Sequence, residues 1–370
     1  MNREEYNYWL ANINRIGARK IELLINSFGN AEEVYKASGQ ELMSVLAERG
    51  DAAAAGFCKA DMDRLAASKE PEKIRAAYAK LTDKGIRFIT REEEDYPDRL
   101  KGIYAAPFAL YVKGKLPGEG HKCLAVVGAR ECTGYGKEMA ACLAGALARE
   151  GIIIISGLAR GIDTCAHKGA LSSGGVTCGV LGCGIDICYP KENINLYMEM
   201  QKEGGIISEY APGMPPLSCN FPMRNRIISG LSDGILVIEA REKSGSLITV
   251  DMGLDQGKDI YALPGKATDR LSEGCNNLIK SGAKLVASPE DILEDFLPEY
   301  HRREDERRGD HILLEPGIKS VYNFIGREPK HLEEISSGTK LPVTVLTEQL
   351  LILEIRGLVR QPMKNYYVLQ

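Results

Sequence analysis

The chain has 370 residues, of which 44% are hydrophobic and 26% are charged, a composition typical of a globular protein of two or three domains. Its formal net charge of −4 excludes a uniformly basic surface, so any binding of nucleic acid would need a local basic groove. No apolar run approaches the length of a membrane span, and the polar N-terminus does not resemble a signal peptide. We therefore expect a cytoplasmic protein without membrane insertion.

The first 80 residues show a helical rhythm of apolar side chains and predict a helical N-terminal domain. The rhythm is interrupted at Arg15-Ile16-Gly17-Ala18. This stretch is similar to a helix-hairpin-helix or SAM-like block, in which a glycine turn can direct backbone N–H groups at a phosphate. Only one weak copy is present, so a hairpin used for packing is the favoured interpretation.

From residue 81 to residue 290, short β-branched runs alternate with helical patterns of about ten residues. The core begins with the run Cys123 to Val127 and ends with Ile260 to Leu263. Such alternation predicts βαβ units and an α/β fold with a doubly wound parallel sheet. Ligands of these sheets bind beyond the carboxyl ends of the strands.

Four loops rich in glycine and polar residues fall at that predicted edge: Gly128-Ala129-Arg130, Ser156 to Asp163, Gly182-Cys183-Gly184, and Ser244-Gly245-Ser246. The serine loop enters a helix, where free N–H groups and the helix dipole favour an anion. The alternative is that the serines only cap the helix. Four such loops on one edge predict a binding cleft.

The stretch Asn220 to Ala240 is locally positive, since no acid occurs between Glu209 and Asp233. Arg224 and Arg226 flank Asn225, just after the ring of Phe221. Two guanidiniums, an amide and a ring can hold phosphates and stack a base. The alternative is a helix whose arginines have a structural role.

The sequence lacks the motifs for cofactor binding, NTP hydrolysis, metal binding and acid–base catalysis. Neither Gly182-Cys183-Gly184 nor Gly134-Tyr135-Gly136 completes a dinucleotide-binding fingerprint, and no Walker lysine motif is present, so we expect no cofactor and no NTPase activity. The ten cysteines form no Cys-x-x-Cys pair, and we interpret them as reduced, mostly buried thiols without a metal. Asp163 and His167 would share a helix face, but no nucleophile accompanies them, and we interpret His167 as structural.

Residues 291–310 are dense in mixed charge and predict a linker. Residues 311–370 show three short helical patterns and two strands, an order typical of a winged-helix domain. The helix predicted over Pro342 to Glu354 carries two glutamates and no Lys or Arg. It is therefore better suited to packing against protein than to reading a DNA groove.

Together these blocks resemble the DprA/Smf family of DNA-processing proteins over about residues 85–290. The matching motifs are Val127-Gly128-Ala129-Arg130, Ser156-Gly157-Leu158-Ala159-Arg160-Gly161-Ile162-Asp163, Tyr189-Pro190, Phe221-Pro222-Met223-Arg224-Asn225-Arg226, Ser244-Gly245-Ser246-Leu247-Ile248-Thr249 and Leu263-Pro264-Gly265. The resemblance implies a Rossmann-like sheet and a homodimer. It also implies a protein that binds and protects incoming single-stranded DNA in natural transformation and helps to load the RecA recombinase, without enzymatic activity, cofactor or metal.

The resemblance also implies DNA contacts at the positions where its motifs match: Gly128, Arg130, Arg160, Phe221, Arg224, Asn225, Arg226, Ser244, Gly245 and Ser246. Lys243 and Lys266 are added to this set from their charge alone. The alternative is an enzyme similar to nucleotide phosphoribohydrolases, whose loop reads Pro-Gly-Gly-x-Gly-Thr-x-x-Glu. Here Thr249 occupies the glutamate position and Lys243 replaces a glycine, so we expect no nucleotide hydrolysis.

Overall fold

A computed structural model of the chain describes residues 1–48, 56–297, 316–326, 329–355 and 358–369. The chain forms two compact units, Met1–Phe296 and Leu297–Gln370. The domain boundaries expected near residues 80 and 290 stay predictions. None of the helices in these ranges is long and apolar enough to cross a bilayer.

The described N-terminal region is helical, as predicted. Its helices are α1 (Arg3–Ala11), α2 (Ala18–Phe28), α3 (Ala31–Lys36), α4 (Gly39–Glu48), α5 (Lys59–Ala67) and α6 (Pro71–Asp83). Buried Leu10 and Leu24 belong to the same hydrophobic cluster as Tyr111 and Ile206, which lie in the sheet. The helices therefore bury their apolar faces against the sheet, the main source of stability for such short helices.

The sheet of the first unit has nine strands in the order β1-β2-β6-β5-β4-β3-β7-β8-β9. They are β1 (Arg87–Thr90), β2 (Ala109–Gly114), β3 (Cys123–Val127), β4 (Ile153–Ser156), β5 (Thr177–Leu181), β6 (Gly205–Ser208), β7 (Gly234–Val237), β8 (Asp259–Ala262) and β9 (Lys284–Leu285). Strands β3 to β9 are parallel, which confirms the predicted doubly wound sheet. Strands β1 and β2 extend one edge of the sheet in antiparallel orientation.

Helices cover the faces of this sheet, so its central parallel strands, β3 to β7, are buried on both sides. They are α7 (Asp98–Lys101), α8 (Gly134–Arg149), α9 (Ile162–Ser172), α10 (Ile194–Glu203), α11 (Asn220–Leu231), α12 (Gly245–Asp255), α13 (Glu273–Lys280) and α14 (Glu290–Phe296). Gly169 brings α9 against the backbone of Ala141 on α8, at a spacing that leaves no room for a Cβ. Helix α14 buries Ile292, Leu293 and Phe296, so the first residues of the predicted linker are folded. The remaining linker residues, from 298 onward, lie outside the described residues.

The second unit contains α15 (Pro316–Ile325), α16 (Leu332–Thr339) and α17 (Val343–Ile355), with β10 (Lys330–His331), β11 (Val359–Met363) and β12 (Tyr366–Leu369) in an antiparallel sheet. Three helices followed by a β-hairpin confirm the predicted winged-helix domain, to which β10 adds a short strand that the sequence did not reveal. Leu346 and Leu350 of α17 are buried, whereas Leu351 and Ile355 are exposed. That α17 packs against a protein partner stays a prediction.

All ten cysteines are free thiols. Cys123, Cys178, Cys183 and Cys275 are buried, as expected, but Cys58, Cys142 and Cys219 are exposed. Burial raises the pKa of the Cys123 thiol to about 11, because an apolar environment disfavours the thiolate. The buried thiols therefore act as small hydrophobic side chains in the core.

Candidate nucleic-acid interface

A cleft of about 690 Å³ lies where the loops that follow β3, β4 and β7 meet. This position, beyond the carboxyl ends of parallel strands, is where ligands of doubly wound sheets bind. Nine of the twelve predicted contact residues line it: Gly128, Arg130, Phe221, Arg224, Asn225, Lys243, Ser244, Gly245 and Ser246. We call it the sheet-edge cleft.

Two glycines let the backbone approach its neighbours closely at the floor of this cleft. A Cβ at Gly128 would lie 2.7 Å from Cγ1 of Ile162 and 3.0 Å from the carbonyl oxygen of Glu239. A Cβ at Gly157 would lie 2.5 Å from Nη2 of Arg224. Both positions therefore need glycine for space, since real Cβ atoms do not approach so near.

Arg224 is part of the floor of the cleft and is only 4% exposed. Its Nη1 donates to the carbonyl oxygen of Gly157 at 2.8 Å and also to that of Val180, which joins the ends of β4 and β5. Its Nε donates to Oδ1 of Asn225 at 3.2 Å. Burial lowers the pKa of Arg224, and the nearby Asp163 opposes this shift. The geometry fits the structural alternative for Arg224, and its predicted phosphate contact stays a prediction.

Arg226 lies outside the residues that line the sheet-edge cleft, and its predicted DNA contact stays a prediction. It is two residues from Arg224 on α11, and residues at that spacing face different sides of a helix. Its Nη2 donates to both carboxylate oxygens of Glu209, at 2.7 and 2.8 Å. The sequence showed a positive segment without nearby acids, but the fold supplies Glu209 as a partner.

Arg160 and Lys266 also lie outside the residues that line the cleft. Arg160 is exposed and forms an ion pair with Glu192, at the start of the turn before α10. Lys266 is exposed beyond the end of β8. Their predicted DNA contacts would therefore require DNA to extend past the cleft.

Planar side chains stack along one wall of the cleft. The guanidinium carbon of Arg130 lies 5.4 Å from the centroid of the Phe221 ring. The ring of Tyr189 lies 5.6 Å from that of Phe221, at an interplanar angle of 33°, and Tyr189 is 42% exposed. An exposed tyrosine beside a stacked ring is suited to receive a nucleobase. The sequence showed Tyr189-Pro190 after the third core strand but did not identify Tyr189 as a contact.

Three cations at the cleft are exposed: Arg130, Arg241 and Lys243. None of the three forms an ion pair with any residue in the described part of the chain. The sequence analysis did not identify Arg241 as a contact residue. Its position shortly after the end of β7 and close to Lys243 could have indicated that it lies at the cleft. Unpaired cations in a concave site attract anions.

The N-terminus of α12 adds a second anion-binding element to the cleft. Ser244 is the N-cap, its Oγ accepts from the Ser246 N–H at 3.4 Å, and no acid occurs in the first turn. The serines thus cap the helix, and the remaining N–H groups and the dipole still favour an anion. The amide of Asn225 donates to the Gly245 carbonyl oxygen at 3.4 Å and links α11 to this turn.

The buried acids beside the cleft shape its loops. Asp163 accepts hydrogen bonds from the N–H groups of Gly157 at 3.1 Å and Ala159 at 3.4 Å, and burial raises its pKa. Glu239 accepts from the backbone N–H of Thr133 at 2.9 Å and from its hydroxyl at 2.5 Å. These carboxylates are therefore occupied by backbone and hydroxyl donors.

His167 is fully buried under the cleft. Its Nδ1 lies 2.6 Å from Oγ1 of Thr177, whose hydroxyl donates to the carbonyl oxygen of Ile154 at 2.7 Å. Nδ1 must therefore carry the proton, since the threonine hydrogen is already used. Burial lowers the pKa of His167 to about 3, so the ring is neutral at ordinary pH. These contacts give His167 the structural role expected from the sequence.

The fold and the cleft define an α/β protein with a basic, ring-lined cleft at the edge of a parallel sheet and with a winged-helix unit. A family model described as DNA recombination-mediator protein A matches residues 87–297, and one described as DprA winged helix domain matches residues 314–362. The chain belongs to the DprA/Smf family of DNA-processing proteins.

Individual relatives agree with this assignment. The DNA processing protein DprA of Streptococcus pneumoniae is 38% identical over 276 residues, which cover 71% of this chain and 97% of the relative. Protein Smf of Escherichia coli is 38% identical over 291 residues, 77% of this chain and 78% of the relative.

Two solved structures are similar to the chain. The structure of the S. pneumoniae DprA has a TM-score of 0.57 at 36% identity and covers 76% of this chain and 98% of that one. The Helicobacter pylori DNA processing protein A, described for its single-stranded DNA binding mode, has a TM-score of 0.52 at 29% identity and covers 58% of this chain and 98% of that one.

The structural role of Arg224 leads to a stability prediction. Arg224→Ala removes the donor from two buried carbonyl oxygens, and each loss should cost about 1–3 kcal/mol of unfolding free energy. Arg130→Ala removes an exposed side chain and should change that free energy by less than about 0.5 kcal/mol. Urea denaturation followed by circular dichroism measures both values. Equal stabilities for the two variants would contradict the structural role.

Proposed function

We propose that this protein binds single-stranded DNA in the sheet-edge cleft and protects it during natural transformation and recombination. The observation that carries the proposal is one cleft that combines a stacked, partly exposed ring pair with three exposed cations, none of them ion-paired within the described residues. Cations that follow a backbone and rings that stack bases are the components of single-strand binding sites. The similarity to the H. pylori protein, whose structure is described for its single-stranded DNA binding mode, supports the same ligand class.

In this proposal each part of the cleft has a separate task. Arg130 and Lys243 contact neighbouring phosphates, and the N-terminus of α12 at Ser244–Ser246 holds another between them. Tyr189, supported from below by Phe221, stacks an unpaired base. A base can reach this ring only when it is not stacked in a duplex, so the site favours single strands. No contact of this kind reads base edges, and binding should be independent of sequence.

The cleft residues are tested with a fluorescent oligo-dT and anisotropy over a series of salt concentrations. Arg130→Ala and Lys243→Ala should each weaken binding and reduce the slope of log K against log salt by roughly 0.7. Tyr189→Ala should cost roughly 1–3 kcal/mol of binding free energy. Lys202→Ala, an exposed lysine on α10 away from the cleft, is the matched control and should leave both quantities unchanged. If the cleft variants behave like this control, the DNA site lies elsewhere.

We further propose that the cleft binds its ligand without catalysing a reaction. Thr249 lies at the cleft but is buried, and the nearby carboxylates of Asp163 and Glu239 are occupied by hydrogen-bond donors. A general base must lie within hydrogen-bond reach of the substrate proton that it takes, and Asp163 and Glu239 are buried, with 7% and 3% of their surface exposed. Incubation of the purified protein with nucleoside monophosphates should therefore release no free base, as measured by chromatography. Release that disappears in an Arg130→Ala preparation would establish an enzyme instead.

We propose that the DNA-bound protein helps to load the RecA recombinase, as the family resemblance implies. Loading requires that the protein occupy DNA already covered by single-strand-binding protein, so it should depend on the same cleft cations. Adding the wild-type chain should shorten the lag of RecA ATPase activity on covered single strands. The double variant Arg130→Ala/Lys243→Ala should not shorten it, while Lys202→Ala should. If the double variant also shortened the lag, RecA loading would not depend on the cations of this cleft.

We also propose that the protein acts as a homodimer. Leu285 is exposed on β9, the two-residue strand at one edge of the nine-stranded sheet, and Leu254 is exposed near the end of α12. Exposed edge strands with apolar side chains favour association with another chain. Sedimentation of the wild type should give twice the monomer mass, and Leu285→Glu should shift it toward the monomer. Met198→Glu, which alters an exposed apolar residue on α10, should remain dimeric; a monomeric wild type would refute the proposal.

A further inference from the structure

A further exposed ring lies beside the sheet-edge cleft, on the side of β8. Tyr135 is the second residue of α8 and is 49% exposed. Its hydroxyl donates to the carbonyl oxygen of Pro264 at 3.4 Å, two residues past the end of β8. The ring therefore joins the loop after β3 to the loop after β8, and it does not belong to the residues that line the cleft. The proposed DNA site makes no use of it.

The start of α8 packs closely on the segment after β7, which fixes the position of this tyrosine. A Cβ at Gly136 would lie 2.5 Å from the carboxylate of Glu239, so glycine leaves the room that the carboxylate needs. Glu239 in turn accepts from the hydroxyl of Thr133, the N-cap of α8. Burial raises the pKa of Tyr135, and the charge of Glu239 adds to this shift, so the phenol is neutral at ordinary pH. The ring therefore carries no charge that would repel a phosphate.

The loop after β8 supplies two exposed cations beside this ring, Lys266 and Arg270. Lys266 is two residues from Pro264, which the tyrosine contacts, and Arg270 directly precedes Leu271, which lines the cleft. Neither cation has an ion pair with any residue of the described ranges. The loop's one acid, Asp269, accepts from the backbone N–H of Leu271 at 3.0 Å. The unpaired side-chain charges of this loop are therefore positive.

Hydrogen bonds hold this loop in place. The amide of Asn276, on α13, donates to the carbonyl oxygen of Gly265 at 3.1 Å and accepts from the Gly265 N–H at 3.2 Å. The backbone N–H of Ala240, after β7, donates to the carbonyl oxygen of Leu271 at 2.7 Å. The loop is thus fixed near both ends, to α13 and to the segment after β7. Cations on a fixed loop can contact a ligand with little loss of backbone entropy.

We propose that Tyr135, Lys266 and Arg270 form a second contact for the single strand that the sheet-edge cleft holds. This contact depends on the proposed function, since it extends the same strand from the cleft across the ends of β7 and β8. Tyr135 stacks another unpaired base, and the two cations contact the phosphates beside it. An exposed ring with unpaired cations repeats the components that the cleft itself combines.

The order of the strands gives the length of DNA that both contacts need. Tyr189 follows β5 and Lys266 follows β8, and these strands are four interstrand spacings apart in the sheet, or about 19 Å. Bases stacked as in a duplex are about 3.4 Å apart along one strand, so about six nucleotides span this distance. We therefore expect a strand of about six nucleotides or more to use both contacts and one of about three to use the cleft alone.

The ring is tested by the anisotropy of fluorescent oligo-dT of about ten and of about three nucleotides with the full-length chain. Tyr135→Ala should weaken binding of the longer strand at least about fivefold, because one stacked base is lost, and should leave binding of the shorter strand unchanged. Tyr135→Phe keeps the ring and loses only the hydroxyl, so it should bind both strands like the wild type. Tyr104→Ala truncates an exposed tyrosine outside the cleft and is the matched control.

The cations are tested with the longer strand over a series of salt concentrations. Lys266→Ala/Arg270→Ala should reduce the slope of log K against log salt by roughly 0.7 for each cation. Lys168→Ala/Lys202→Ala removes two exposed lysines from α9 and α10 and should leave the slope unchanged. Melting curves of all variants verify that the fold is kept.

The outcomes distinguish this contact from the cleft itself. If Tyr135→Ala and Lys266→Ala/Arg270→Ala bind the longer strand like their controls while Arg130→Ala weakens both strands, the second contact is refuted and the cleft remains the DNA site. Equal weakening of the shorter strand by Tyr135→Ala would also overturn the proposal, because the tyrosine would then act by supporting the cleft. If Arg130→Ala affects neither strand, the proposed function is overturned and the second contact with it.

Discussion

The burial of one guanidinium determines the arrangement of the sheet-edge cleft. Arg224 joins the carbonyl oxygens at the ends of β4 and β5, and its charge lies close to the buried Asp163. Asp163 in turn holds the N–H groups of Gly157 and Ala159. A buried cation is stable only when such partners surround it. The loop after β4 therefore depends on Arg224, and Gly157 must be glycine so that the guanidinium fits beside it.

This internal role leaves ligand binding to other side chains. Phe221, one turn before Arg224 on α11, presents its ring to the cleft, where Arg130 and Tyr189 lie against it. The exposed cations come from the loops after β3 and β7, so they can meet a phosphate without disturbing the sheet. Rigid elements thus position the site while exposed side chains contact the ligand, an arrangement that favours pre-organised binding.

The same helix also separates the sheet-edge cleft from a second cleft of about 740 Å³, which Ile13, Tyr104 and Glu209 line. Phe221, Arg224 and Asn225 line the sheet-edge cleft, whereas every third residue of α11, Asn220, Met223 and Arg226, lines the second cleft, since a helix turns about 100° per residue. Arg226 with Glu209 forms part of the second surface rather than the first. A change in the position of α11 would therefore alter both clefts.

The sequence alone determined the alternation of strands and helices, the winged-helix order and the loops that form the sheet-edge cleft, because periodicity and glycine-containing turns are local properties. It therefore identified nine of the cleft residues, including Arg130 and Lys243. Only the tertiary structure decided which arginines are available to a ligand. Arg224 finds backbone acceptors from β4 and β5, and Arg226 finds Glu209, which lies 17 residues away in the chain. Tyr189 likewise becomes part of the site only when folding brings it against Phe221, since burial and pairing depend on contacts between distant segments.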